Sequence, residues 1–517
     1  MDGVRCTWRL REVVRRGCAD HFPAYRTVTP PPPPLTPHHP SLLQEKSAAA
    51  RAVTEHACSL GSHFAPFSKI CVTALLPLVS FQYSAEVRVA GAQALSPVFD
   101  AACALAVDPA HVCFAKVPGA AQLPQQLFGS IVNTLVKQLG EERGEPETLV
   151  ELATAISDVT RSAYVHIFEE TAGMHVAKLA LNEGRSLVTK LTGLVGECLE
   201  RRRLLFDGMA NCGDDEDEIA EYEEALYAES DILTPLVDSI GYTLKCAGVG
   251  FVPVFDSVLA PTFGKFLTSA GNPDTRARFA AVCLFDDCIE FLGAEMGSRY
   301  APQLLPGVLE GINDATNDDD LELKQASVYG VAQIARVAPG AMQAVAGPVA
   351  QQLYEIITAG PADEDEVSLI ENAVSALAAM CVFRGAPFAA CVGGPSEQAA
   401  IKEIVLNAFP ITEDETEAHV CHDRFADMVE IGDPCCVGGV AELARAMKII
   451  GTVLRACGDG DNLAAPSTIS RFTGLLTKLQ SNPNAAAAWG LIEGDVQSVI
   501  GRAVQGVQVQ GAATITP

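Results

Sequence analysis

The sequence predicts an all-α protein made of stacked helix hairpins, and three observations support this prediction. The first is composition, because apolar residues make up 49% of the 517 residues and aromatic residues only 6%. Small aliphatic side chains favour closely packed helices over β-sandwiches. The second is periodicity, since from Ser41 onward stretches of roughly 12 to 20 residues carry apolar positions three and four apart. The third is an internal repeat.

The repeat has one pattern: a basic residue, any residue, alanine, a small residue and, later, an apolar residue. Copies begin at Arg88, Arg278 and Lys324, and a degenerate copy begins at Glu371. The last three start 46 and 47 residues apart, which matches the roughly 40–47-residue period of HEAT repeats. The sequence therefore predicts a HEAT-repeat α-solenoid, a right-handed superhelix of antiparallel helix hairpins.

The motif also predicts how the repeats are joined. Small residues allow neighbouring helices to approach closely, and the basic residue is placed to bond an acidic turn of an adjacent repeat, such as the turns at Glu86 or Asp274. Isolated glycines inside helical patterns predict further sites of close packing: Gly91, Gly241, Gly330 and Gly474.

Composition shifts predict two regions. Residues 1–40 are rich in arginine and proline, and five consecutive prolines favour polyproline II, so we expect a mostly disordered leader. An organelle transit peptide and a docking site for a proline-binding module are the alternatives for this segment. Residues 41–517 form the predicted solenoid, into which an acidic loop is inserted at about 212–229.

The charge balance points to basic protein partners. With 64 acidic and 36 basic residues the net charge is −28, so the chain should repel the phosphates of nucleic acids. The alternative is that an acidic surface only provides solubility. The 17 cysteines are scattered, which indicates free thiols in a reducing compartment. No run of apolar residues predicts insertion into a membrane, and no signal peptide is recognisable.

Catalytic, cofactor and metal sites are not predicted. The sequence holds no P-loop, nucleophile elbow, HExxH pair or dinucleotide-binding glycine fingerprint. One cluster suggests a metal site, but its spacing fits no common structural zinc pattern: His419, Cys421, His422, Cys435 and Cys436.

Five segments in the second half of the chain match the pattern of a known family. They are LFDDCIE at 284–290, YAPQLLP at 300–306, QASVYGV at 325–331, ENAVSAL at 371–377 and FPITEDETEA at 409–418. In these segments the sequence resembles the karyopherin-β (importin-β) family of nuclear transport receptors, most closely its importin-β-three branch. The segments occur in family order and with family-like spacing over residues 280–420, and weaker similarity extends from about Lys46 to about Gln480. The resemblance covers only the C-terminal half of such receptors.

The resemblance implies a non-catalytic nuclear import receptor fragment that works in the cytoplasm, the nucleus and the pores between them. It implies basic cargo proteins with nuclear localisation signals, such as ribosomal proteins or histones, and phenylalanine-glycine nucleoporins as partners. Ran-GTP is a further partner that the resemblance allows, although the resemblance covers none of the amino-terminal repeats in which the family's main Ran contact lies. The alternative function is a HEAT-repeat scaffold subunit of a multiprotein complex.

Two groups of residues are the candidate cargo contacts. Carboxylates attract basic cargo over long range, and an asparagine amide can hold an extended peptide. The alternatives are a merely solvated acidic loop for the first group and bonds between neighbouring repeats for the second. The first group is Asp214, Asp215, Glu216, Asp217 and Glu218, and the second is Asp286, Asp287, Glu290, Glu371 and Asn372.

Overall fold

A computed structural model describes residues 40–107, 122–142, 146–165, 181–213, 216–270, 274–313 and 318–513. These ranges contain helices and no strand, which confirms the all-α prediction. The predicted leader lies outside the described residues except for Pro40, as do Asp214 and Asp215. The chain divides into two compact units, Met1–Gly264 and Lys265–Pro517.

The first unit consists of hairpins whose helices form two rows. Helices α1, α3, α5 and α7 pack side by side in one row, while α2, α4 and α6 cover them. Short helical turns continue the chain from Gly248–Phe251 to Gly264–Phe266. The helices are α1 (Pro40–Leu60), α2 (Ala65–Val79), α3 (Ala85–Val107), α4 (Leu123–Glu141), α5 (Pro146–Ala163), α6 (Leu181–Asn211) and α7 (Glu216–Ala247).

The second unit repeats this arrangement. Helices α8, α10, α12, α14 and α16 each contact the next in one row, which we call the ladder row. The longer helices of the unit are α8 (Thr275–Phe291), α9 (Ala294–Asn313), α10 (Asp318–Val337), α11 (Ala346–Ala359), α12 (Glu366–Leu377), α13 (Pro395–Asn407), α14 (Glu415–Glu430), α15 (Val440–Asp459), α16 (Pro466–Leu479) and α17 (Gly494–Ala513).

Local sequence explains where several of these helices begin. The side chain of Asp274 accepts a hydrogen bond from the backbone N–H of Arg276, and that of Asp414 accepts one from Glu417. Each aspartate thereby satisfies an N–H group that has no partner within the helix. A single helix cannot bury its own apolar stripe, so neighbouring hairpins bury it.

Two helical stretches are long and apolar enough to cross a membrane by length and composition, a result that the sequence patterns did not predict. They are Ser41–Val79 and Glu216–Phe266. The first is interrupted by the 3-10 turn Gly61–Phe64, and the second leaves α-helical geometry after Ala247. Both pack against other helices of the first unit, so length and composition alone do not identify a span.

Three of the four isolated glycines lie where the chain is crowded or buried. A Cβ atom at Gly91 would lie 2.9 Å from the Cβ of Leu78, and one at Gly330 would lie 2.6 Å from Oδ1 of Asp286. Gly241 is buried in α7. The prediction for Gly474 is wrong, because a Cβ there would meet no atom within 4 Å; periodicity marks a helix but does not show what faces each position.

Gly91→Ala should destabilise α3 by about 1–3 kcal/mol, because the added methyl group overlaps α2. Hydrogen exchange of the α3 amides measures this as a lower local opening free energy. The matched control is Gly474→Ala, which should stabilise α16 by about 0.5–1 kcal/mol because alanine favours a helix. Unchanged or slower exchange of α3 in the first variant would contradict the close packing.

Candidate binding surfaces

The first candidate surface is the hairpin of α6 and α7, the longest helices that the structure describes at 31 and 32 residues. At its base Arg202, only 2% exposed, donates hydrogen bonds to the carbonyl of Leu226 and to Oγ of Ser230, each at 2.7 Å. Beyond this base, none of residues 203–213 and 216–229 is buried. We call these residues the acidic arm.

The structure corrects the predicted acidic loop at 212–229, which is helical from Glu216 onward. Carboxylates in a first helical turn are favoured by the positive end of the helix dipole. In addition, α7 has three half-buried apolar residues spaced by three and four positions, as on a helix that packs against a second helix. They are Ile219, Tyr222 and Leu226. The acidic run is therefore the start of α7.

The acidic arm holds eight carboxylates and one arginine. Arg203 pairs with Asp207 inside the arm and with Glu200 below it, and Glu229 pairs with Arg201 at 2.6 Å. Six carboxylates are exposed within the first third of α7, and they are Glu216, Asp217, Glu218, Glu221, Glu223 and Glu224. The arm thus presents a concentrated negative field to solvent.

The second group of predicted contacts, on the ladder row, is largely inaccessible. Asp286, Glu371 and Asn372 are 3%, 7% and 2% exposed, so the expectation that they face cargo is wrong. Asp287 and Glu290 remain partly exposed. Burial follows from the packing of α8 and α12 between two neighbours each, which leaves little of either helix open.

Glu371 and Asn372 bond the next repeat, as the alternative interpretation predicted. The carboxylate of Glu371 accepts backbone hydrogen bonds from Thr412, Glu413 and Asp414 at 2.7 to 2.9 Å. Asn372 donates to Oδ2 of Asp414 at 2.9 Å. Together they fix the loop that enters α14.

Asp286 is buried, and one of its two carboxyl oxygens accepts no hydrogen bond from the described residues. Its Oδ1 has no hydrogen-bond partner among the described residues and faces Gly330, which leaves room for it. Burial raises the pKa of the Asp286 carboxyl well above its ordinary value, and Asp287 and Glu290 raise it further. Burial and the two neighbouring carboxylates therefore favour the neutral, protonated form of this carboxyl.

Glu290 links α8 to α10. Its carboxylate accepts a hydrogen bond from the Tyr329 hydroxyl at 2.5 Å. Burial raises the pKa of Tyr329 well above its ordinary value, and the charge of Glu290 raises it further. The tyrosine therefore stays a donor across the ordinary pH range, which fixes this contact between the two helices.

The sequence analysis missed the strongest polar links of the ladder row. Arg336 on α10 donates to Oγ of Ser375 on α12 at 2.6 Å and to Glu417 on α14 at 2.8 Å. Arg471 on α16 pairs with three carboxylates of α14. The ion pair of Arg336 joins residues 81 positions apart, which a repeat motif of one period does not reveal.

The basic residues of the motif form different contacts from those expected. Arg88 binds Glu142 at the end of α4 through two hydrogen bonds of 2.7 and 2.8 Å, rather than an acidic turn. Arg278 approaches Glu310 of the following helix at 3.9 Å. A basic residue in the motif thus does reach a carboxylate, but the sequence does not identify which one.

The residues that suggested a metal site have other contacts. His422 is fully buried, where its Nε2 accepts from the backbone N–H of Ile411 at 3.2 Å and its Nδ1 donates to the carbonyl of Leu463 at 2.8 Å. His419 bonds Asn462. Within the described part of the chain, no group of three or more potential ligands is placed to hold a metal ion.

Solved structures of the karyopherin Kap121p have a fold similar to that of this chain, while no family model matches the sequence. Kap121p bound to the SUMO protease Ulp1p matches with a TM-score of 0.63 and 17% identity over 90% of this chain and 38% of that chain. Kap121p bound to Nup53p matches with a TM-score of 0.61 and 17% identity, and Kap121p bound to RanGTP with a TM-score of 0.60 and 16% identity. Each match covers 90% of this chain and 37% of that chain.

These similarities confirm the predicted HEAT-repeat solenoid. The chain spans little more than a third of the length of the solved structures that it matches. At this level of identity the comparison establishes the fold that the two proteins share.

Asp286→Asn should stabilise α8 at pH 7 by about 1–3 kcal/mol, because asparagine is neutral without taking up a proton. The Asp286 carboxyl of the wild type binds its proton more tightly in the folded than in the unfolded state. The stability of the folded wild type therefore falls as pH rises from about 4. The gain in the variant should accordingly shrink toward pH 4. Hydrogen exchange of α8 at both pH values measures it, with Asp217→Asn on the arm as the exposed control. An equal gain at both pH values would contradict a protonated Asp286.

The buried imidazole of His422 should make α14 sensitive to acid. Burial lowers its pKa to about 4, whereas the unfolded side chain titrates near 6.5. The unfolded state therefore binds the proton first, and stability is lost as pH falls from about 6.5 to 4, by roughly 3 kcal/mol. His422→Gln preserves one acceptor and one donor without titrating, and it should flatten this loss in α14 hydrogen exchange. The exposed control His56→Gln should leave the acid-induced loss of stability unchanged. If that loss persists in His422→Gln, a group other than His422 causes it.

Proposed function

We propose that the chain is a non-catalytic transport receptor of the karyopherin-β type, related to the importin-β-three branch, which binds basic cargo through its acidic arm. The single observation that carries this proposal is the arm itself, a helical hairpin with six exposed carboxylates in the first third of α7. The arm belongs to a karyopherin-type solenoid, which favours a transport receptor over another kind of acidic binding protein.

The solved relatives indicate the kinds of partner. Kap121p has been crystallised with the SUMO protease Ulp1p, Nup53p and RanGTP. By analogy, the partners of this chain are basic cargo proteins, such as those with nuclear localisation signals, ribosomal proteins or histones, together with nucleoporins. Ran-GTP is a further partner in this proposal. The chain would then work between the cytoplasm and the nucleus.

Electrostatics determine how the arm would act. Exposed charges within about 10 Å of one another act together at physiological salt, and opposite charges speed the first encounter more than they tighten the final complex. Asp214 and Asp215 continue the acidic run in the sequence and belong to the same proposed cargo contact as Glu216, Asp217 and Glu218.

On the ladder row only part of the candidate set remains as a cargo contact. Asp287 and Glu290 are partly exposed and stay in the proposal, whereas Asp286, Glu371 and Asn372 are excluded by burial. The carboxylates around Arg471 are more open, with side chains of Asp423 and Glu430 exposed by 46% and 39%. Arg471 already compensates part of their charge.

A binding experiment on the full chain tests the proposal. An immobilised lysine-rich peptide and Ran-GTP are each titrated at low and at roughly physiological salt. Charge reversal in the arm, Glu216→Lys with Asp217→Lys and Glu218→Lys, should weaken peptide binding by about tenfold or more at low salt, and less at the higher salt because screening already weakens the attraction.

The control carries the same change of net charge at exposed acidic positions outside the arm, and it should keep nearly all of the peptide affinity. Its substitutions are Glu55→Lys, Glu364→Lys and Asp459→Lys. No binding of either probe by the wild type would reject the transport function. Stable association with an enzyme subunit instead would favour the scaffold.

A further inference from the structure

The acidic arm leaves helical surface uncovered as well as charge. Two large apolar side chains on it are among the most exposed in the described residues, with Leu204 55% and Tyr227 59% exposed. They lie at the same level of the hairpin, because Arg202 bonds the carbonyl of Leu226. Each of them stands beside exposed charged residues of the arm, and apolar side chains surrounded by charge are a combination that protein interfaces use.

The same chain contains a segment of matching chemistry. Residues 5–16 hold five arginines and a single glutamate. Between them stand Trp8, Val13 and Val14, which suit the exposed side chains of Leu204 and Tyr227. Arginine pairs with carboxylates through two parallel hydrogen bonds and stacks on aromatic rings. The arm offers both kinds of contact: its six exposed carboxylates can accept the hydrogen bonds, and the ring of Tyr227 can stack on an arginine.

Most of the arginines that the structure describes in the first unit already have partners. Arg88 binds Glu142, Arg201 binds Glu229, and Arg202 is buried in the base of the arm. Residues 5–16 are thus the densest basic stretch in a chain with a net charge of −28. They complement the arm in sign, in hydrogen-bonding geometry and in apolar content.

The connection between the two is long enough. From α1 to α7 the first unit has three steps between packed helices, about 30 Å at 8–10 Å a step, and the arm adds about 20 Å of helix. Residues 17–39 have a contour length of about 75 Å. Tethering at this scale gives an effective concentration up to the millimolar range, which favours the chain's own segment over a free competitor of equal affinity.

We propose that residues 5–16 of this chain dock on the acidic arm, over Leu204, Tyr227 and the exposed carboxylates of α7. The docked segment covers the surface to which basic cargo would bind, so it acts as an internal competitor. The competitive effect rests on the proposed function, whereas the contact itself does not.

Hydrogen exchange of the full chain tests the contact. In a variant with Arg5, Arg9, Arg11, Arg15 and Arg16 replaced by glutamine, the amides of residues 216–229 should exchange about three- to tenfold faster than in the wild type, because the arm loses its cover. Raising the salt should produce the same acceleration in the wild type. The matched control loses five exposed basic charges elsewhere and should leave the arm unchanged: Arg51, Lys69, Lys137, Arg384 and Arg424 to glutamine.

Equal exchange of the arm in the wild type and the arginine variant would overturn the proposal. Protection that disappears on dilution, with a dimer mass in light scattering, would also overturn it, since the occupant would then be a second copy. The lysine-rich peptide gives a separate result, and its affinity should rise about three- to tenfold in the arginine variant. If that peptide binds no form of the chain while exchange responds as expected, the contact stands and only the cargo function fails.

Discussion

Polar side chains buried between successive helices of the ladder row hold the second unit in register. Apolar contacts between short helices are nearly non-directional, and helices rich in alanine and leucine can slide or rotate with little loss. Arg336, which bonds Ser375 and Glu417 on two successive helices, permits only one arrangement. Breaking this ion pair is costly because the Glu417 side chain is only 1% exposed and would be left as a buried charge without compensation.

These links also explain why the repeats differ so much in sequence. Glu371 holds three backbone N–H groups of the loop before α14, a task that depends on the shape of that loop and not on a repeated motif. Each junction has its own solution, with a tyrosine in one, an arginine in another and a histidine in a third. The period survives because the helices keep their spacing, while the residues at the junctions diverge.

The sequence was sufficient for the fold but not for the accessibility of single residues. Apolar spacing and a period of 46 and 47 residues predicted the helices and their stacking, since both depend on local pattern. Exposure depends on what packs opposite, and for Asp286 that is Gly330 on the next helix of the row. The acidic run was taken for a loop because its charges hid the three apolar residues that turn toward α6. Its location as a surface was nevertheless predictable, since so many adjacent carboxylates have no place in a core.

The arm differs from the rest of the molecule in what its sequence must satisfy. Past Arg202 and Ser230 it contributes no buried residue, so the helices beneath it fold without reference to its composition. Substitutions and changes of charge at the exposed positions of the arm are therefore nearly neutral for folding. Natural selection can alter the choice of partner there while the solenoid stays constant, and the two properties evolve separately within one continuous pair of helices.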